Sequence, residues 1–183
     1  MKNYQGVKIY NLIKKLFPIN RSITGRGNRK SLKILKETFK QIKFLEFKSG
    51  KKVFDWNIPP EWNVNDAYVL YKKKRIIDFK KNNLHLVSYS APVNKFVDKK
   101  ELFQHIYTDN FNKNAIPYIT SYYKKNWGFC ISENFKKKIV GNKFKVIINS
   151  KFKKNGSLTI GEAILKGKSK KEILISANIC LPS

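Results

Sequence analysis

The apolar residues of this chain change their spacing near residue 44, and that change limits the folds open to it. Over 3–17 and again over about 28–42, apolar side chains recur every three or four residues, as on one face of an amphipathic helix. Pro18 ends the first pattern, and we expect the two helices to form an antiparallel or crossed pair. Beyond residue 44, apolar residues alternate with polar ones in short segments, which is typical of half-buried strands. This order predicts an α/β or α+β body.

Turn residues divide the middle of the chain into many short predicted strands. These strands cover 43–48, 52–56, 67–71, 75–79, 84–89, 116–120, 127–131 and 143–149. The segments on either side of Lys72-Lys73-Lys74 predict a hairpin, and short helices are expected over about 99–107 and 132–138. Asp98 followed by Glu101 is a capping-box pattern and predicts where the first of these helices begins.

The domain organisation follows from this concentration of short strands. We predict a β-rich domain over 49–144, inserted into an α/β portion that comprises 1–48 and 145–183. Two longer strands are expected in the second segment of the α/β portion, over 158–165 and 172–177. Ile173–Ala177 is almost continuously apolar, as in a central strand that is buried on both faces. Because the sequence ends six residues later, we expect the sheet to be incomplete and the chain to be truncated.

The net charge of +27 admits two interpretations. Attraction to a polyanion, either nucleic acid or an acidic glycan, is one of them. The other is a solvated surface, because the charge comes from 35 Lys and only 4 Arg spread along the whole chain. Arginine is the residue that usually supplies bidentate contacts in nucleic-acid sites. A solvated surface is therefore favoured, and a basic polyanion-binding module without catalysis remains the alternative function.

The residues able to carry chemistry are few, and no catalytic constellation is complete. The two histidines, His85 and His105, fall on different predicted elements, with no spacing typical of a zinc protease. Cys130 lies in Trp127-Gly128-Phe129-Cys130 and is expected to be a buried structural cysteine. Only one other cysteine is present, Cys180, so we expect no disulfide framework and a reducing, cytoplasmic setting. No apolar run is long enough to span a membrane.

Ligand-facing residues are predicted at three positions. Arg21 precedes Gly25-Arg26-Gly27, where a helix N-terminus with basic neighbours could hold an anion. Lys30 replaces the third glycine of a dinucleotide fingerprint, so a turn that joins two helices is the favoured interpretation. Tyr122 and Trp127 belong to an aromatic set that could line a peptide or sugar groove or fill the core of the β-rich domain.

Several short segments, taken in order, resemble one family. They are Arg21-Ser22-Ile23-Thr24-Gly25, Phe54-Asp55-Trp56, Pro60-Glu61-Trp62, Asp66-Ala67-Tyr68, Asp78-Phe79, Asn83-Leu84-His85, Ile116-Pro117-Tyr118, Thr120-Ser121-Tyr122-Tyr123, Trp127-Gly128-Phe129-Cys130, Gly156-Ser157-Leu158-Thr159 and Gly161-Glu162. Over about 10–183 the chain resembles the aminopeptidase-like family of bacterial proteins often found among surface-polysaccharide biosynthesis genes and long labelled a domain of unknown function. The resemblance implies a zinc-exopeptidase-like α/β fold with an incomplete sheet and an inserted β-rich domain.

The chain departs from the family at the expected metal site. The resemblance implies a histidine-rich motif after the strand Ile173–Ala177, and here its histidine places are occupied by Asn178 and Leu181. Leucine cannot ligate zinc, and an asparagine side chain is a poor ligand for it. We therefore expect no metal ligands and no catalytic residues in this chain, no cofactor of its own, and no activity from it alone. Zinc is implied for the full-length family, and the partner would be a separately encoded C-terminal remainder.

Overall fold

The protein is represented by a computed structural model that describes residues 2–180, with side chains from residue 5 onward. It is a mixed structure of helices and small sheets. Its elements are α1 (Lys2–Leu16), α2 (Arg26–Thr38), β1 (Lys43–Lys48), β2 (Lys52–Val53), β3 (Trp56–Asn57), β4 (Glu61–Tyr71), β5 (Lys74–Asp78), β6 (Val93–Asp98), α3 (Lys99–Gln104), β7 (Ile106–Tyr107), β8 (Phe129–Cys130), α4 (Glu133–Lys137), β9 (Lys143–Lys153) and β10 (Ser157–Glu162).

The chain packs into two compact units. One comprises the residues up to Glu61 together with those from Lys153 onward, and the other runs from Trp62 to Phe152. A discontinuous unit interrupted by a continuous one is the arrangement that an inserted domain would give. The chain passes from one unit to the other between residues 61 and 62, and returns between residues 152 and 153. The domain bounds of 49–144 stay a prediction.

The discontinuous unit contains an antiparallel pair of strands, β1 and β10, with Lys43 opposite Glu162 and Lys48 opposite Ser157. Leu32 of α2 is buried, and the Cβ of an alanine at Gly161 would lie 2.8 Å from its Cδ2. Glycine at this point of β10 therefore lets the helix lie close against the strand. Both predicted helices are present, although α2 ends at Thr38, about four residues earlier than expected.

The loop before α2 and the start of that helix are held by buried polar contacts. Asn28 donates from Nδ2 to the carbonyl oxygen of Thr159 at 2.9 Å. Arg29 makes a two-pronged ion pair with Glu61, at 2.6 and 3.1 Å. This side-chain hydrogen bond to Glu61 raises the pKa of Arg29, so the guanidinium stays charged. Arg29 is therefore occupied by an internal carboxylate, in agreement with a turn that joins two helices.

The continuous unit is built on a four-stranded sheet with the order β5-β4-β9-β6. The strands β4 and β5 form the predicted hairpin, in which Lys72 and Lys73 both have positive φ angles. A turn with two successive positive φ angles has a backbone twist that matches the twist of the flanking strands. One face of β9 carries the buried residues Phe144, Val146 and Ile148, as the alternation of the sequence predicts. The predicted cap of α3 is also confirmed, because Asp98 accepts a hydrogen bond from the amide of Glu101.

Several predicted strands are wrong, each for a local reason. The predicted strand over 84–89 begins in a 3₁₀ turn at Asn83–His85, where the Asn82 side chain accepts a hydrogen bond from the amide of Leu84. Only single β-bridges follow, at Leu86 and Ser88. Residues 52–56 divide into β2 and β3 around a tight turn at Phe54, whose φ is +54°. The predicted strand over 116–120 is reduced to one bridge, between Thr120 and Ser88.

The predicted central strand at Ile173–Ala177 is also wrong. In the described chain this segment is irregular, and Ile173, Leu174 and Ile175 are 88–91% exposed. A fully apolar strand is stable only between two neighbouring strands, and no strand in residues 2–180 pairs with this segment. The apolar positions of α1 are similarly uncovered, with Val7, Tyr10 and Ile13 between 46% and 61% exposed. The helix therefore forms as predicted, and its apolar face is not buried here.

Candidate ligand groove beside Trp127

The continuous unit has an open groove of about 460 Å³ between two segments of chain. The lining residues are Ala91, Pro92, Val93, Asn94, Lys95, Lys125, Asn126 and Trp127. The first segment enters the edge strand β6, and the second precedes β8. We call this feature the Trp127 groove.

The orientation of Trp127 is fixed by His105. The two rings stack with 3.6 Å between their centroids and an interplanar angle of 21°. The Nδ1 of His105 donates to the carbonyl oxygen of Trp127 at 2.9 Å, which orients the main chain at the same point. One face of the indole is therefore covered by the protein itself.

A lysine lies over the same ring. The Nζ of Lys95 is 5.4 Å from the centroid of Trp127, within the range of a cation–π interaction. Lys95 also forms an ion pair with Glu101, which restrains its otherwise flexible side chain. The groove thus combines an aromatic surface with a positioned positive charge.

The two walls of the groove are tied together by hydrogen bonds. The amide of Ala91 donates to the carbonyl oxygen of Asn126 at 2.8 Å, joining one wall to the other. The Asn126 side chain donates from Nδ2 to the hydroxyl of Tyr107, also at 2.8 Å. The first bond joins the two walls, and the second fixes the side chain of Asn126.

The backbone just before the groove is strained. Tyr89 is buried and has a φ of +65°, a conformation that costs a bulky residue on the order of 1–3 kcal/mol. Packing holds it there, because its ring stacks on Trp62 at 5.6 Å between centroids. The next residue, Ser90, accepts hydrogen bonds at its carbonyl oxygen from Trp62 Nε1 and Ser150 Oγ. Such strained positions are concentrated at functional sites, and this one fixes how the chain enters the groove.

The three predicted ligand-facing residues have different surroundings. Trp127 lines the groove. Tyr122 does not, and its ring packs edge-on against Tyr89 at 4.8 Å, so it supports the strained residue. Arg21 is 5% exposed and belongs to the other compact unit. A direct ligand role for Tyr122 and Arg21 stays a prediction.

Four polar groove residues have no counterpart among the predicted ligand-facing residues: Asn94, Lys95, Lys125 and Asn126. Lys125 and Asn126 directly precede Trp127 in the sequence, and this proximity to a predicted ligand-facing aromatic could have identified them. The other two lie on β6, a strand absent from the predictions. Lys95 is the reason, because it interrupts the core-facing series of Val93 and Val97 with a charge.

The histidines and Cys130 are engaged in structural contacts. The Nδ1 of His85 donates to the carbonyl oxygen of Cys130 at 2.8 Å, so the ring contacts the main chain at that residue. Cys130 is fully buried, as predicted, and burial raises the pKa of its thiol to about 12. Within residues 2–180, no three His, Cys, Asp or Glu side chains are grouped so that they could hold a metal ion. Asn178 lies in the irregular segment after β10, and Leu181 is outside the described residues.

We expect the two cysteines to differ sharply in their reaction with a thiol reagent such as DTNB. Cys180 is half-exposed, so a reagent can reach its thiol and should modify it in the native protein. Cys130 should react only when the protein unfolds. The folded state retains the Cys130 proton that the unfolded chain loses, so the stability from this thiol is lost as the pH rises from about 9 towards 12.

Titration of one thiol in native protein and of two in urea checks this expectation, with Cys180→Ser as the control variant. Rapid native modification of Cys130 would show that its surroundings open easily.

Comparisons with known proteins place the Trp127 groove inside a recognised sequence family. Residues 61–151 match the family described as a domain of unknown function, DUF2172, and this range includes every residue of the groove. No helix in the described part of the chain is long and apolar enough to cross a membrane.

Two relatives extend the comparison to almost the whole chain. A protein of Clostridium acetobutylicum, provisionally named a polysaccharide biosynthesis protein with an aminopeptidase-like domain, is 48% identical over 179 residues, which are 97% of this chain. A crystal structure from the same organism, described provisionally as that of a peptidase, matches 86% of the chain with a TM-score of 0.82 and 48% identity. The chain spans 41% of the length of the first relative and 37% of the second. The resemblance found in the sequence is thereby confirmed, and residues 61–151 belong to the family described as a domain of unknown function, DUF2172.

Proposed function

We propose that this chain is the ligand-binding portion of an aminopeptidase-like protein of surface-polysaccharide biosynthesis, and that it does not hydrolyse peptides by itself. The observation that carries the proposal is the 48% identity, over 97% of the chain, to a relative named for both features. The proposal includes a zinc-exopeptidase-like α/β fold for the complete protein, with the unit from Trp62 to Phe152 as its inserted domain.

The surroundings of the reactive residues support a non-hydrolytic role for this portion. A hydrolytic zinc site needs about three protein ligands and an activated water. Within residues 2–180 no three His, Cys, Asp or Glu side chains are grouped so that they could hold a metal ion, and the Cys130 thiol is held protonated by burial. At the position where the family resemblance implies histidine, the chain has Asn178. The zinc ligands would then come from a portion corresponding to the part of the relative that this chain does not match.

Metal analysis and a peptidase assay on the purified chain test this proposal. We expect bound zinc well below one equivalent and no release of p-nitroaniline from aminoacyl p-nitroanilides above the blank. The full-length Clostridium acetobutylicum relative, measured in parallel, is the matched positive control. Stoichiometric zinc together with hydrolysis by the 183-residue chain would contradict the proposal, and purification from native cells would reveal any second chain.

The alternative, a basic module that binds a polyanion, is supported by one surface feature. Lys143 and Lys145 both extend over the ring of Phe96 on the solvent-facing side of β6 and β9. Such a surface gives an attraction that falls steeply with salt and is indifferent to the identity of the anion. This alternative would be supported if polyanion binding weakened by the same amount whichever lysine is neutralised.

A further inference from the structure

We propose that the Trp127 groove binds a single anionic sugar unit, one that carries a carboxylate. This inference deepens the proposed function and rests on it, since a protein of polysaccharide biosynthesis meets such units. It also concerns a site that can be tested without any peptidase activity.

The volume of the groove lies in the range of small-molecule sites. Small-molecule sites enclose about 300–1,000 Å³, and this groove has about 460 Å³. A single-stranded nucleic acid is usually held by a longer track in which several aromatic side chains stack on successive bases. Trp127 is the only aromatic residue that lines the groove, which favours a compact ligand.

The lining has the mixed character that a sugar requires. Trp127 is half-buried, and the part of its indole that His105 and Lys95 leave exposed offers an apolar surface against which the C–H face of a pyranose ring can pack. Asn94 and Asn126 line the same space, and a side-chain amide presents both donors and an acceptor, as vicinal hydroxyl groups do. An apolar face with hydroxyl groups around its edge is the shape of a sugar.

The charge of the lining selects an anion. Lys95 and Lys125 are both exposed at the groove, and none of the eight lining residues is acidic. Glu101 pairs with Lys95 and holds it near the indole, whereas no ion pair of Lys125 occurs within the described residues. A carboxylate on the sugar would therefore meet Lys125 as its main partner.

The sequence offers a matched pair of variants. Lys124 and Lys125 are adjacent and exposed, but only Lys125 lines the groove. Lys125→Gln and Lys124→Gln lower the net charge equally, so a general attraction to the basic surface would respond to both alike. Trp127→Phe keeps an aromatic ring in contact with His105 and removes the larger indole surface.

Isothermal titration calorimetry with tri-galacturonic acid, at 150 mM salt, is the test. We expect saturable binding to the 183-residue protein, weakened about fivefold or more by Lys125→Gln and by Trp127→Phe. Lys124→Gln should change the Kd by less than about twofold, and neutral maltotriose should bind at least about tenfold more weakly.

Three outcomes would overturn the inference. They are equal weakening by the two lysine variants, equal binding of maltotriose, and tighter binding of oligo(dT) that also requires Trp127. Circular dichroism of each variant checks that the fold is retained. If sugar binding fails while the zinc and peptidase results are as expected, the assignment of the groove falls and the proposed function stands. If the chain shows zinc-dependent hydrolysis and still binds the sugar, the proposed function falls and the assignment of the groove stands.

Discussion

Replacing Phe144 by alanine is expected to lower the free energy of unfolding of the four-stranded unit by about 3–5 kcal/mol. The side chain is 0% exposed, and its ring lies 5.4 Å from that of Tyr71 between centroids. Its removal would leave a cavity lined by strands that cannot close around it, because neighbouring strands are fixed by their main-chain hydrogen bonds. Urea unfolding followed by tryptophan fluorescence would measure the loss, since Trp62 and Trp127 belong to this unit.

Phe96→Ala is the control for this prediction. Phe96 lies on the adjacent strand β6, opposite Lys145 in the register, and its side chain is 62% exposed on the other face of the sheet. We expect it to cost less than about 1 kcal/mol. Similar losses from both variants would indicate that β6 and β9 pair with a one-residue shift, because such a shift exchanges the two faces.

The second large effect is expected from Gly27→Ala. A Cβ atom at this position would lie 1.8 Å from the carbonyl oxygen of Asn20 and 2.9 Å from its carbonyl carbon. Both are main-chain atoms, so no side chain can rotate away and the loop before α2 has to move. We expect a loss of about 1–3 kcal/mol, although alanine is the better helix former.

Gly6→Ala provides the comparison, since the same substitution in α1 would place a Cβ with nothing within 4 Å. There we expect a gain of helix stability of about 0.5–1 kcal/mol. Thermal unfolding by circular dichroism would show changes of opposite sign. A neutral Gly27→Ala variant would mean that the chain around Asn20 is not held against the helix.

The features predicted correctly from the sequence depend on neighbouring residues. The hairpin between β4 and β5 follows from two alternating segments around a short basic turn, and the cap of α3 follows from Asp98. The predicted burial of Cys130 was also correct, because the apolar residues beside it suit a core. In each case the chemistry that decides the structure lies within a few positions.

The features missed or wrongly predicted depend on distant residues. The strand β6 was missed because the exposed Lys95 stands between Val93 and Val97, and its ammonium group is held by Glu101 and Trp127. The groove was missed except for Trp127, since its two walls come from segments about 30 residues apart. Hydrogen bonds between these distant segments, such as that from the amide of Ala91 to the carbonyl oxygen of Asn126, bring the walls together.

By itself, the sequence determined the mixed helical and strand character, the family, and the positions of local caps and turns. Periodicity and capping are properties of adjacent residues, and the family resemblance is carried by short motifs in order. Only the tertiary structure decided that Tyr89 is strained, that Arg29 is held by Glu61, and that Asn94 and Lys125 line one groove. It also decided that Ile173–Ile175 is not a strand, because an apolar segment becomes a central strand only when other strands lie beside it.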